Sequence, residues 1–247
     1  MLGQPVDHVP FIARMDLWYS YHRNTGTLPR PYEKATLWDM QRDMGIGIFG
    51  FGAWDVKFYR LEYDGVDVSV THEHGDTVTR YGTPYGVLTM RESMSNDLKE
   101  AAGAGARVEF PFKSSADYDA LQYLLDHGRV VDNLDEYGRF VDGIGDDGVA
   151  LAFAGWLPAH ELMLHYMGYE RFYYELADHP ARVEALIASL TARQERVLAI
   201  AAQCPARAIE VGGNYDEAMT PPPIFDALFA PSYRRARRFL NAHDKIL

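Results

Sequence analysis

The chain of 247 residues is 47% hydrophobic and 24% charged, which supplies enough apolar material for a large core and places it outside the disordered class. Its 24 Lys and Arg against 35 Asp and Glu give a net charge of -11, which repels a polyphosphate backbone and an anionic membrane surface, so neither nucleic acid nor membrane is an expected partner. Cys204 stands alone, the N-terminus lacks the basic and apolar regions of a signal peptide, and charged residues break every candidate apolar run shorter than the ~18 residues a bilayer requires; a soluble protein of the reducing cytoplasm is expected.

Residues 8–14 (HVPFIAR) form a short apolar run, and Leu37, Met40 and Met44 then recur at helical spacing within 30–44. A strand followed by a helix is predicted, with Gly45 as the stop and residues 46–51 (IGIFGF) as a second strand buried on both faces. Between 56 and 93 the period changes to two, as in 66–71 and 77–81 around the Gly75-Asp76 turn. This predicts an inserted antiparallel meander. A polar helix is predicted over 115–127, closed by Gly128, and the Gly/Asp-rich stretch 141–148 reads as a loop. Residues 149–154 (VALAFA) read as a third buried strand, 158–203 as helix with Pro180 opening its long part, and 207–211 (RAIEV) as a fourth strand. Two short helices over 221–229 and 231–243 precede Lys245-Ile246-Leu247, where a fifth strand begins. Strands alternating with helices imply an α/β fold with a parallel sheet. The length suits a whole eight-stranded barrel, yet the element count gives four to five barrel strands; the count is preferred because the meander and paired helices consume residues a minimal barrel lacks. One domain spanning 1–247 is expected, the N-terminal part of a barrel.

Segments spread over nearly the whole chain, in their order and spacing, resemble the uroporphyrinogen decarboxylase superfamily, which includes the methylcobamide:coenzyme M methyltransferases. They are Met167-Gly168-Tyr169-Glu170 before 178–183 (DHPARV), Val211-Gly212-Gly213-Asn214-Tyr215-Asp216 with Thr220-Pro221-Pro222, then 228–233 (LFAPSY) and His243-Asp244-Lys245. Upstream, 81–86 (YGTPYG) is similar to a Thr-Pro-x-Gly turn of the methyltransferase-like members, followed by 109–113 (EFPFK) and Asp117-Tyr118. The resemblance implies a (β/α)8 TIM barrel and an enzyme moving a methyl group between a small substrate or thiol and a corrinoid held by a partner protein. Two alternatives stay open: a decarboxylase of another acid, and a non-catalytic tetrapyrrole- or corrinoid-binding homologue. Uroporphyrinogen itself is an improbable substrate. The decarboxylases carry an Arg-x-x-x-Arg pair, and here Arg14 is followed by Trp18; where they place an Asp after the second strand, this chain has Gly50-Phe51-Gly52-Ala53-Trp54. The family's zinc ligands are expected at the fifth and later strands, past Leu247, so no cofactor is assigned to this segment, while zinc and a partner-bound corrinoid are expectations for the whole protein. The other partner expected is a small-molecule substrate, with a homodimer also open.

Barrel enzymes place catalytic groups just past the C-terminal ends of their strands. Here those positions hold Arg14, Asp16 and Trp18, then Gly52 and Trp54, then Gly155 and Trp156, then Gly213, Asn214, Tyr215 and Asp216. Arg14 and Asp216 are the catalytic candidates: Arg14 would clamp a carboxylate or phosphate, or pair with Asp16. In the 212–216 turn two glycines let backbone approach a ligand while Asn, Tyr and Asp supply donors and an acceptor; the same residues also suit a strand-to-helix turn with Asp216 as cap. Trp54 and Trp156 would line a pocket for a flat ring or simply pack. His160 and Glu161 suit acid/base work or a helix surface, and His165 and His179 read as structural. His72 and His74 share a strand face but have no third metal ligand in view, Cys204 reads as a buried inert thiol, and 142–147 lacks the ligand spacing of a Ca²⁺ loop. Arg234, Arg235, Arg237 and Arg238 scatter around a helix and pair with the acidic surface.

Overall fold

The computed structural model describes residues 11–51, 56–95 and 105–247. After α1 (Asp16–Asn24) and α2 (Leu37–Asp43) come strands β1 (Ile48–Phe51), β2 (Tyr59–Tyr63), β3 (Asp67–Glu73), β4 (Asp76–Thr83), β5 (Gly86–Ser93) and β6 (Ala106–Glu109). Helix α3 (Tyr118–Asp126), strand β7 (Gly128–Asp132), helix α4 (Leu134–Ile144) and strand β8 (Gly148–Trp156) follow. Helix α5 (Pro158–Glu161) widens into a π-turn at Leu162–Met167, ahead of α6 (Tyr169–Asp178), α7 (Pro180–Ala201) and strand β9 (Ala208–Gly212). Helix α8 (Pro222–Ile224) passes through a π-turn at Phe225–Phe229 into α9 (Ala230–Asn241). Pro231 lies in the first turn of α9, and its ring excludes the ordinary bond to the carbonyl four residues back, which accounts for the widened turn. None of the described helices is long and apolar enough to cross a membrane.

The chain is mixed α/β. A parallel sheet runs in the order β1-β8-β9, extended at one edge by a parallel bridge from Ile12 to Gly47 and at the other by one from Ala208 to Ile246. One face carries Ile48, Ala152, Ala154, Ile209 and Val211, all buried against helices. The other carries Phe49, Phe51, Leu151, Phe153 and Glu210, all half-buried. The predicted strands at 46–51, 149–154 and 207–211 therefore stand, with one face buried and the other half-buried among the described residues.

Other expectations are corrected. An unpredicted helix, α1, follows Arg14, and the helix expected over 30–44 shortens to Leu37–Asp43. Pro29 and Pro31 hold a tight turn at Arg30–Tyr32, and Thr36 starts the helix in a reciprocal capping box with Asp39. Strand β2 leaves the meander to pair antiparallel with β7, while β3 to β6 form a four-stranded antiparallel sheet. The helix expected over 115–127 stands as α3 with its cap at His127, and Gly128, directly after it, opens β7. Of the stretch 141–148 read as an acidic loop, the first half is the end of helix α4, whose Tyr137, Phe140 and Ile144 are buried at helical spacing, and a tight turn at Gly145–Asp147 leads into β8 at Gly148. His74 departs from the strand face of His72: it sits at φ 53 with Gly75 at φ 91 in the two-residue β3–β4 turn, the doubly positive pattern of a type I′ hairpin.

Candidate functional site

Beside the last four residues of β8, Phe153 to Trp156, a cavity of about 630 Å³ opens between β2, α5 and α7. Gly155 makes it. At φ 86 it occupies backbone that favours glycine, and the β8–β9 register slips between Phe153 and Trp156, which sets Trp156 opposite Gly212. A bulge of this kind re-aims the side chain that follows it. Trp156 becomes a wall of the cavity, packed edge-on against Phe153 at 5.6 Å and against His160 at 5.2 Å.

The inner wall is polar. Arg193, 6% exposed on α7, donates through Nη2 to Glu161 and through Nη1 to the Tyr166 hydroxyl at 3.4 Å. Burial raises the Glu161 carboxyl, and the Arg193 and Lys57 charges pull against that rise. Burial also raises the phenols of Tyr59 and Tyr63, so both stay protonated. Gln194 donates to the Trp156 carbonyl at 3.3 Å, fixing α7 to the strand end.

His165, in the π-turn, lines the same cavity. Arg107 Nη1 lies 2.8 Å from its Nδ1 and also donates to the carbonyls of Leu164 and His165 at 3.2 and 2.9 Å; the last carbonyls of a helix have no partner within it. A guanidinium keeps its protons, so Nδ1 is the acceptor and the neutral ring carries its hydrogen on Nε2. Burial and the charges of Arg107 and Arg193 hold this histidine down to about 4, so it is neutral near pH 7.

His160 is fully buried. Its Nε2 is 3.0 Å from the Tyr169 hydroxyl, its ring lies 4.8 Å from Tyr215, and its Nδ1 has no hydrogen-bond partner among the described residues. Burial lowers it to about 4. Tyr215 completes an aromatic box with Phe225 and Phe229 at 5.4 and 5.2 Å. Gly213 permits this, because a Cβ there would lie 2.1 Å from the Tyr215 ring.

The positions singled out from the sequence thus separate. Trp156 and Tyr215 converge on His160, and of the candidates Gly155, Trp156 and Glu161 line the large cavity. Asn214 and Asp216 are exposed, and the Asp216 carboxylate accepts from the amides of Ala218 and Met219 at 3.0 and 2.9 Å, which is the capping role. Arg14 pairs with Asp16 at 3.3 Å in a half-exposed bridge rather than a buried one. The two line a shallow pocket of about 40 Å³ with Phe49 and Phe51, and the Arg14 charge opposes the rise that burial imposes on Glu210. Trp18 is 41% exposed against His22. Trp54 and Gly52 lie outside the described residues. Cys204 is buried and its thiol is pushed up to about 11; Asp147 of the acidic stretch pairs with Arg42, and Arg235 with Glu195.

Sequence reading missed Lys57, Tyr59, Arg60 and Arg193 and took His165 as structural. Arg193 did leave a signal: Val183, Leu186, Leu190, Arg193 and Val197 are buried at alternating spacings of three and four, so a charge occupies the apolar stripe of a helix. A charge there requires a buried partner, and the neighbouring helix supplies Glu161. Among the described residues no three His, Cys, Asp or Glu converge as a metal-binding group. No protein-family model, no curated protein and no solved structure matches the chain.

Proposed function

We propose that the parallel sheet is the opening part of a (β/α)8 barrel of the uroporphyrinogen decarboxylase type, and that the protein moves a methyl group between a small substrate or thiol and a corrinoid carried by a partner protein. One observation carries the reading. Ile12, β1, β8, β9 and Ile246 lie side by side, all parallel and in chain order, and a cavity of about 630 Å³ opens at the C-terminal end of β8, the end at which barrel enzymes bind substrate. The family-like segments from residue 81 to residue 245 support the choice of family. The single Arg14, drawn aside to Asp16, supports the methyltransferase side of it over a decarboxylase that clamps many carboxylates.

The described residues offer no fitting zinc set, so no step is routed through a metal. Their own work is positional. Trp156 presents a flat wall, the Arg193–Glu161 pair anchors the floor, and His165, which lines the cavity, holds its proton on Nε2. The test mixes the purified protein with methylcobalamin or methylated substrates, thiols and a corrinoid protein, and follows the absorption of the cobalt–methyl bond. A spectral change that Trp156→Ala abolishes supports the reading. No change with any donor overturns it.

A further inference from the structure

The cavity beside β8 carries a charge imbalance opposite in sign to that of the chain as a whole. Lys57, Arg60 and Arg193 line it against Glu136 and Glu161, an excess of one positive charge in a chain whose net charge is -11. Arg193 is committed to Glu161, and Glu136 accepts from Asn133 at 2.7 Å. Lys57 and Arg60 form no ion pair within the described residues. Both are exposed and line the cavity at its solvent side. His165, held as a neutral donor by Arg107, adds an N–H and no charge. Trp156, Phe153 and Leu61 supply apolar wall beside the polar lining.

We propose that this cavity binds an organic monocarboxylate, its carboxylate held by Lys57 and Arg60 and its apolar body laid against Trp156 and Phe153. One surplus positive charge matches one carboxylate; a phosphate ester dianion would leave a negative charge facing Glu136 and Glu161. Carboxylate recognition by two cations at the rim of an apolar pocket gives both affinity and orientation, because the charged end cannot enter where no cation awaits it. A volume near 630 Å³ suits a body of one or two rings. The inference rests on the β8 cavity being the substrate site, and it names the class of substrate that the site takes.

Calorimetric titration tests it without any corrinoid, so a failed methyl-transfer assay leaves it standing and failed binding beside intact methyl transfer removes it alone. The probes are 2-naphthoate, its uncharged counterpart 2-naphthamide and 2-naphthyl phosphate. The expected order is naphthoate tightest, with naphthamide and the phosphate at least about tenfold weaker. Lys57→Met is exposed and leaves the core intact; it should weaken naphthoate about tenfold or more and leave naphthamide unchanged, with circular dichroism reporting the fold. Binding of naphthoate that Lys57→Met does not weaken, equal binding of naphthamide, tighter binding of the phosphate, or no binding at all would overturn the proposal.

Discussion

Arg193 on α7 and Glu161 at the end of α5 share a hydrogen-bonded ion pair at the inner wall of the main cavity, with the guanidinium almost wholly buried. Because neither charge is solvated as it would be in water, each depends on the other. Arg193→Met should cost about 3–5 kcal/mol by leaving the carboxylate without its partner, while the double variant Arg193→Met with Glu161→Leu should recover most of that loss. Urea unfolding of the two variants checks this, and a double variant no more stable than the single one would contradict it.

The two buried histidines give a pH dependence. His160 and His165 titrate near 4 in the folded chain against the ordinary 6.5, so between those values the unfolded chain binds more protons. Stability then falls as pH drops through that window, by up to about 1.4 kcal/mol per pH unit for each ring. The raised Glu161 acts in the opposite sense, so the informative quantity is a difference. His160→Gln should make the slope shallower than that of the native chain, and parallel slopes would mean that His160 takes up its proton without penalty.

Two glycines should respond oppositely to alanine. Gly138 sits inside α4 with nothing within 4 Å of an added Cβ, and Gly138→Ala should stabilise by about 0.5–1 kcal/mol through helix propensity. Gly213→Ala should displace Tyr215 from its box and cost about 1–3 kcal/mol. Thermal unfolding ranks them, and loss of the near-ultraviolet tyrosine signal in Gly213→Ala alone locates the damage.

Cys204, 1% exposed with its thiol raised to about 11, should react with a disulfide reagent at pH 8 only as fast as the chain opens. The rate should climb with added urea. Immediate labelling of the native protein would refute this placement.

Much of the parallel sheet was legible because strands at 46–51, 149–154 and 207–211 are apolar runs of the right length. What escaped had identifiable causes. Helix α4 was hidden by Gly138, Gly143 and Gly145, which are turn formers by local rule, yet Tyr137, Phe140 and Ile144 bury enough surface to override them. The pairing of β2 with β7 joins residues such as Tyr59 and Asp132 across more than seventy positions, a relation no local pattern carries. The site was half legible. Trp156 followed from its place at a strand end, whereas Lys57 and Arg60 become cavity residues only through that distant pairing, and Asp216 looked chemical until its turn claimed the carboxylate.

Phe49, Phe51 and Phe153 stand on the less covered face of the sheet in ring contact with one another. Each ring leans on the next, so the three act as one aromatic strip running from β1 to β8 and tie the first strand of the sheet to its centre through side chains as well as through backbone. Loosening the middle ring would therefore be felt on both strands at once.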